Sequence, residues 1–570
     1  MHFFLSKTGK SNHSHHFFLE GYYLHYTPDA KNLHREVLIE TDERLIIGDV
    51  NQTFYAAVSA DPTRQNIEIH IKSLSNGYLL LADKKEKSFY VYTDIFGFYS
   101  LFLLEKDNGI YLSSEFRDLI EHSSKKENVF ALLDILLFNY TLLDRTLLVD
   151  VKRLPGGSRV VLSGGSETEW SVPYNYAGNF QLTAKSYKIN SQLFAQKLQQ
   201  AVLQEISTEI PNFISMTGGF DSRAILASLV HNKQDINTIT YGQPGNIESE
   251  TLKSFIGQFA KGQLSLLLDE HYLEQLPVIF EHFLEKNLDN PVFFNLVEYE
   301  QYSAHMPPAN LIIGFMGGEI INGQALGAEV TFTRFAARLL QAKDYRELLP
   351  DFEEAIHSTG MLNTDYINSF SEAYLKTLSP YFVQENNLNI LQFVINEEYA
   401  KFFGAANKVF KASFNVTVPF IQADFLNFLL NSQISFLRKA LFKQNPLRNV
   451  KSKILFARAI AYLCPALKPT RFDRLYRVKD LSSIFLWPLA AYYYFLVHAF
   501  RKSNKQYTRT TDYLLWYKNI LWPALEKPCP YLNKDMDKII DKSFTVRQKH
   551  QLYRLAALIL SLDKIKAMGK

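Results

Sequence analysis

The chain has 570 residues, of which 47% are hydrophobic, 14% aromatic and 21% charged, a profile that excludes a disordered or fibrous protein and predicts roughly two to four folded domains. A formal net charge of +3 offers no global attraction for nucleic acid, so no nucleic-acid partner is expected; the basic stretch 438–453 reads as a solvated or phosphate-facing surface. Cys464 and Cys529 are the only cysteines and share no metal-ligand spacing, which argues against a disulfide framework or structural zinc and fits a reducing compartment.

The first residues, MHFFLSKTGK, lack a basic start followed by a long apolar run and a cleavage site, so no secretory signal is read and a cytoplasmic location is expected. His2, His13, His15 and His16 have no supporting carboxylates nearby in sequence and are expected in a mobile or surface N-terminal segment rather than in a metal cluster. Up to about Gly165, short alternating runs at 67–71, 78–81 and 90–92 are broken by polar clusters and read as strands of a layered sheet domain. The pattern turns helical over 129–139, and the turn Leu154-Pro155-Gly156-Gly157 leads into a strand at 159–162. A polar connection, 164–183, marks the expected domain boundary.

From Ser186 the period changes. Leu193, Leu198, Val202 and Ile206 recur at helical spacing; 212–216 is an apolar run ending in glycines; a helix is predicted over 223–230, a strand over 237–241 and a helix over 248–259. This alternation is that of a doubly wound parallel sheet. Beyond about Gln341 the pattern is mostly helical, closing in an amphipathic stretch at 552–565. The apolar segment 484–500, interrupted by Pro488, Tyr492, Tyr493, Tyr494 and His498, falls short of the ~20 residues needed to span a bilayer; it reads as a buried or surface-docked aromatic helix, with membrane contact as the lesser alternative and no integral membrane span.

Residues 215–223 read SMTGGFDSR between a predicted strand and a predicted helix. Gly218 and Gly219 allow a tight turn that brings bare amides to a ligand, and the helix N-terminus adds unpaired N–H groups and a positive dipole end. Thr217 and Ser222 can donate to phosphate oxygens, whereas Asp221 suits a polyanion only through a shared Mg²⁺. The competing reading is a plain turn in which Asp221 and Ser222 cap the helix.

The whole string resembles the SGGxDS pyrophosphate loop of ATP pyrophosphatases, with Thr217 in place of the usual serine; it is not a Walker loop, since no lysine follows the glycines. Flanking patches are similar, in order, to the asparagine synthetase family. They are 94–98 with Leu101-Phe102, then 112–116 (LSSEF), 146–157 ending in RLPGG, Thr240-Tyr241-Gly242, Glu248, 314–323 (GFMGGEIING), Val418-Pro419-Phe420, and 453–459 with Pro465. The resemblance implies an α/β protein in three parts. Residues 1–165 would form a degenerate, layered β-rich glutaminase-type (Ntn-hydrolase-like) domain. Residues 186–480 would form a doubly wound parallel-sheet ATP-pyrophosphatase (PP-loop) synthetase domain with a mostly helical C-terminal part, and 481–570 a helical extension.

By the same resemblance, Ser215, Thr217, Gly218, Gly219, Asp221, Ser222, Tyr241, Gly242 and Gly314 would bind ATP, and Asp221 and Glu319 would hold Mg²⁺. Lys453 would be the catalytic cation, with Lys451 as the alternative match. The implied chemistry is activation of a small-molecule or peptide carboxylate as an acyl-adenylate, with pyrophosphate released and an amine displacing AMP.

Three departures modify that expectation. The position of the family's N-terminal cysteine nucleophile holds His2, and no cysteine precedes Cys464, so no glutamine hydrolysis is expected. Gly318 stands where the second glycine-rich loop usually carries an aspartate, leaving Glu319. Phe315, Asn415, Thr417 and Gln422 replace polar or charged substrate residues, which makes free aspartate a poor substrate. The leading expectation is an amide-forming ligase similar to β-lactam synthetases and lasso-peptide cyclases; ammonia-dependent asparagine synthesis and a non-catalytic nucleotide-binding scaffold are the alternatives, with a homodimer left open.

Overall fold

A computed structural model describes residues 1–7, 14–28, 36–106, 109–163, 168–207, 209–242, 247–267, 269–290, 308–322, 333–357, 362–442, 450–472, 476–503, 523–525, 527 and 546–568. The N-terminal part contains two antiparallel six-stranded sheets. The first runs in the order β10 (Val151–Arg153), β8 (Phe102–Lys106), β9 (Gly109–Ser113), β1 (His2–Ser6), β3 (Tyr22–Thr27), β2 (His15–Leu19). The second runs β12 (Thr168–Ser171), β11 (Arg159–Ser163), β7 (Ser88–Thr93), β6 (Tyr78–Asp83), β5 (Arg44–Asp49), β4 (Glu36–Glu40).

Alternation along the strands decides the layering. Phe3 and Leu5 point into a shared interior with Leu24, Ile47, Tyr78, Leu80, Val91 and Leu112. Leu79 and Leu81, one residue out of phase in β6, pack instead on the helices α1 (Gln52–Ala60) and α2 (Arg64–His70) through Phe54, Val58 and Ile67. Phe4, Phe102 and Leu104 cover the outer face of the first sheet together with the helix α3 (Val129–Phe138). Strands buried on both faces read as nearly continuous apolar runs, which is why β6 shows little polar alternation.

The structure brings two distant sequence patches together. The Asp94 carboxylate accepts backbone N–H bonds from Phe96 (3.0 Å), Phe98 (3.0 Å) and Tyr99 (2.8 Å), curling residues 94–99 into a turn. Gly97 sits at φ +68, and a Cβ on Gly156 would lie 2.4 Å from its nitrogen, so the turn and the Pro155-Gly156-Gly157 loop interlock backbone to backbone.

The second half contains the helices α4 (Ser191–Gln204), α5 (Phe220–His231), α6 (Ile247–Lys253), α7 (Glu270–Lys286), α8 (Gly317–Asn322), α9 (Gly404–Lys411), α10 (Ala423–Leu430), α11 (Val450–Leu463), α12 (Val478–Ser482), α13 (Trp487–Ser503) and α14 (Val546–Ala567). They accompany a five-stranded, wholly parallel sheet in the order β15 (Gly262–Leu267), β14 (Ile236–Gly242), β13 (Asn212–Ser215), β16 (Ala309–Ile312), β17 (Phe414–Thr417). Strand order therefore reverses between β13 and β16, creating a crevice at their carboxyl ends.

The halves meet through buried polar pairs. Asn76 and Asn407 exchange amide bonds at 3.1 and 2.8 Å, Lys411 pairs with Asp49 at 2.6 Å, and Arg153 donates to the Ala400 carbonyl at 2.6 Å. Ala400 belongs to a π-helical stretch, Val394–Phe403, whose Glu397 and Lys401 pair at 2.5 Å in the interior.

Several elements differ from the sequence expectation. The polar connection 164–183 contains β12, an edge strand paired to β11. The largely helical region after Gln341 contributes β17, which completes the parallel sheet. His2, His15 and His16 lie in paired strands, with His15 and His16 exposed, so the surface placement holds and the mobile one does not, while His13 lies outside the described residues.

Candidate functional site

Ser215 is the last residue of β13, and its register partner on β14 is Ile239. The chain then turns through Thr217, Gly218 and Gly219 into α5, and Ser222 ties the turn down. Its hydroxyl accepts from Thr217 N–H and donates to the Thr217 carbonyl, both at 3.2 Å, and lies 3.2 Å from Thr217 Oγ1. Gly219 N–H donates to Thr217 Oγ1 at 3.3 Å. Gly219 is the N-cap of α5 and, having no side chain, makes no capping bond. Asp221 and Ser222 follow the cap inside the helix, so the capping role open to them is not the one they adopt.

Asp221 faces the loop that follows β16. An added Cβ at Gly314 would lie 3.0 Å from Asp221 Cβ and 3.2 Å from Ser222 N, and one at Gly317 would lie 2.7 Å from Asp221 Cγ and Oδ1. Two glycine-rich loops, separated by most of the sheet in sequence, are in van der Waals contact because β13 and β16 are neighbours. Between the two glycines, Met316 adopts φ +66 while fully buried, a left-handed conformation that is costly for a residue with a Cβ and that clusters at functional turns.

The electrostatics follow from this approach. Burial, and then the neighbouring Glu319 carboxylate, push the Asp221 carboxyl up to about 8, with the Gly318 N–H bond opposing in part. Burial likewise raises Glu319. Asp221 resists ionisation through burial and the nearby Glu319, and Glu319 through burial, so a cation beside them would offset the cost of ionising both. Among the described residues no group of three or more His, Cys, Asp or Glu side chains could hold a metal. A pair of carboxylates suits Mg²⁺ in the manner of phosphate-binding sites, where phosphate oxygens and waters complete the shell.

The other expected residues take these positions. Tyr241 and Gly242 end β14, Tyr241 half-buried. Lys453 lies in the first turn of α11, half-buried, whereas Lys451 is exposed. Phe456, one turn after Lys453 and on the same helix face, stacks near Phe220 at 6.2 Å and Phe420 at 6.0 Å, so that face turns toward the α5 N-terminus. Phe315 packs with Phe403 at 4.8 Å. Thr417 ends β17 beside the crevice, and Gln422 caps the start of α10. Asn415 is not at this end of the sheet: its amide donates to Asn310 at 2.6 Å, and Asn310 to Asn212 at 2.8 Å, in a ladder near the strand amino ends. Its role is in the sheet rather than toward a substrate. Gly323 and the Glu248 side chain lie outside the described residues.

Arg223 escaped sequence reading. It is fully buried, donates to Thr470 Oγ1 at 3.1 Å and to the Arg471 carbonyl, and lies between the rings of Phe255 (4.6 Å) and Phe472 (4.4 Å). Burial lowers its pKa to about 9, and the guanidinium stays charged at neutral pH. It anchors α5 to the chain after α11. A charged residue directly after the glycine loop was the available signal.

A second cleft, about 450 Å³, opens at the N-terminus between β1, α7 and α9. His2 Nδ1 lies 2.9 Å from Glu115, which pairs with Lys408 at 2.8 Å. Burial alone would raise Glu115, but the Lys408 ammonium and the His2 ring hold it at about 2. Among the described residues no thiol lines this cleft, and Cys464 is buried elsewhere in the fold. No protein-family model matches the chain, and neither does any curated protein.

Proposed function

We propose that the crevice at the ends of β13 and β16 binds ATP with Mg²⁺ and that the protein is an AMP-forming amide ligase of asparagine-synthetase type, acting without glutamine hydrolysis. The observation that carries the reading is the contact of the Asp221 carboxyl with the Gly314–Gly318 loop, at the point where the strand order reverses and an uncapped helix begins. In this reading the N-terminal sheets correspond to an Ntn-hydrolase-like domain, the parallel sheet to a PP-loop domain, and the setting is cytoplasmic.

The amides of Gly218, Gly219 and the first turn of α5 would receive the pyrophosphate oxygens, with Thr217 and Ser222 exchanging their mutual hydrogen bonds for bonds to phosphate. Asp221 and Glu319 would hold Mg²⁺, which when bound would supply charge neutralisation to the leaving pyrophosphate. Lys453 would face the charge that develops during attack on the α-phosphorus, a contribution typically worth ~10²-fold or more in rate. Tyr241 and Gly242 would border the nucleotide's base. Phe315, packed against Phe403, presents a ring rather than a carboxylate to the neighbouring space and favours an acyl substrate with apolar surface over free aspartate. The amine then comes from a small molecule or a peptide, including one within the same substrate.

A nucleotide-binding scaffold is the second reading, favoured by Gly318, which offers an amide where an acid would supply a third ligand. Calorimetric titration with Mg-ATP and a pyrophosphate-release assay with carboxylate libraries separate the two. Mg-dependent nucleotide uptake with pyrophosphate release supports the ligase, uptake without release supports the scaffold, and no uptake refutes both.

A further inference from the structure

The region after Lys453 carries a surface that nucleotide binding does not use. Ile484, Phe485, Leu489, Tyr492 and Phe495 are all exposed, Phe485 at 87% and Phe495 at 69%. Their spacing of four, three and three from Phe485 onward places them along one side of the turn Ile484–Leu486 and α13. The helix is held from its other side, where Ala490 is buried and Trp487 Nε1 donates to the Leu481 carbonyl at 3.1 Å. The stripe is therefore presented by an anchored helix.

Charge gathers beside it. Residues 450–503 contain ten lysines and arginines against Asp473 and Asp480, and Asp480 is buried, accepting the Arg477 N–H at 2.7 Å. Lys468, Arg471 and Lys479 are exposed. Lys479 N–H bonds the Lys468 carbonyl at 3.0 Å, Ser483 N–H bonds the Lys479 carbonyl at 3.1 Å, and Arg458 Nε donates to the Ser482 carbonyl at 3.2 Å. These bonds set the cations at the root of the aromatic stripe. The whole chain has a net charge of only +3, so this concentration is local.

We propose that this basic, aromatic face docks on the headgroup surface of an anionic lipid bilayer. Aromatic rings with cations at their border match the amphipathic layer between headgroups and acyl chains, and the cations add attraction to a negative leaflet. The helix lies in that layer: at 17 residues it is shorter than a span, and among the described residues no helix is long and apolar enough to cross a membrane.

The test is co-sedimentation of the full chain with vesicles of phosphatidylcholine alone or mixed with phosphatidylserine. Binding should be at least about ten-fold tighter to the anionic vesicles and should fall as salt is raised. The double variants F485E/F495E and K468E/K479E should each weaken it by about ten-fold or more, with Mg-ATP uptake unchanged. Equal or absent sedimentation with both vesicle types overturns the proposal. So does a lipid-free dimer abolished by F485E/F495E, which assigns the face to a second copy. Loss of thermal stability in F485E/F495E with vesicle binding intact also overturns it, by showing that the chain's own residues cover the face.

Discussion

A methyl group on Gly317 would lie 2.7 Å from the Asp221 carboxyl carbon, so the size of residue 317 and the position of that carboxylate are one variable. Gly317→Ala must displace the acid or the loop. The expected outcome is at least a ~10-fold loss of Mg-ATP affinity with a stability cost of about 1–3 kcal/mol, read by calorimetry and thermal melting. Unchanged nucleotide affinity would show that the Asp221 geometry is irrelevant to binding.

Asp221 itself has a folded pKa of about 8 against about 3.9 for an unfolded aspartate. The folded chain holds the proton more tightly, so without Mg²⁺ this group makes stability fall as pH rises from about 4 to about 8. Asp221→Asn removes that loss. In melts without metal, the variant should gain on the wild type progressively from pH 5 to pH 8 while pyrophosphate release is abolished. A constant difference in melting temperature across that range would contradict the burial of an ionisable acid there.

Lys453→Met should lower pyrophosphate release by ~10²-fold or more with little change in melting temperature, because the residue lies at a helix start and is only half-buried. Lys451→Met is the control and should leave turnover intact. Reversal of the two results would reassign the cation.

Glu115 has its pKa depressed to about 2 by Lys408 and His2, so its stabilisation is present above about pH 4.3 and is lost as pH falls through about 2. Glu115→Gln should cost on the order of 3 kcal/mol at pH 7, and the gap between variant and wild type should close in acid. Denaturant titrations at pH 7 and pH 3 measure it.

Incubation with glutamine should release no glutamate, since His2, paired with the Glu115 carboxylate, supplies no thiolate nucleophile. Stoichiometric or faster release would locate a nucleophile that the described residues do not contain.

Much of this arrangement was legible locally. The glycines at 218 and 219, the strand before them and the helix after them are short-range signals, and each stands within a few residues of its expected place. Strand β17 was not legible, because Phe414–Thr417 is four residues long inside a helical pattern and its identity depends on pairing with β16. The α1 and α2 layer was missed, and the run 67–71, read as a strand from its alternating Ile67, Ile69 and Ile71, lies in α2 (Arg64–His70) and the helical turn after it; such short helices gain most of their stability from packing on the sheet. Asn415 was misplaced because similarity to a motif says which strand a residue is in but not at which end of the sheet its side chain is satisfied. Arg223 was overlooked because burial of a charge between Phe255 and Phe472 is a tertiary event with no local period.

Strands β13 and β16 lie side by side, yet the described residues between them include the strands β14 and β15 and the helices α5, α6 and α7. Closing so long a loop is slow and entropically costly. The two glycine-rich loops therefore cannot meet until the return is complete. On the proposed nucleotide reading, a nascent chain would stay blind to nucleotide until β16 has left the ribosome and paired with β13, while β17, the last strand of the sheet, is still to be made.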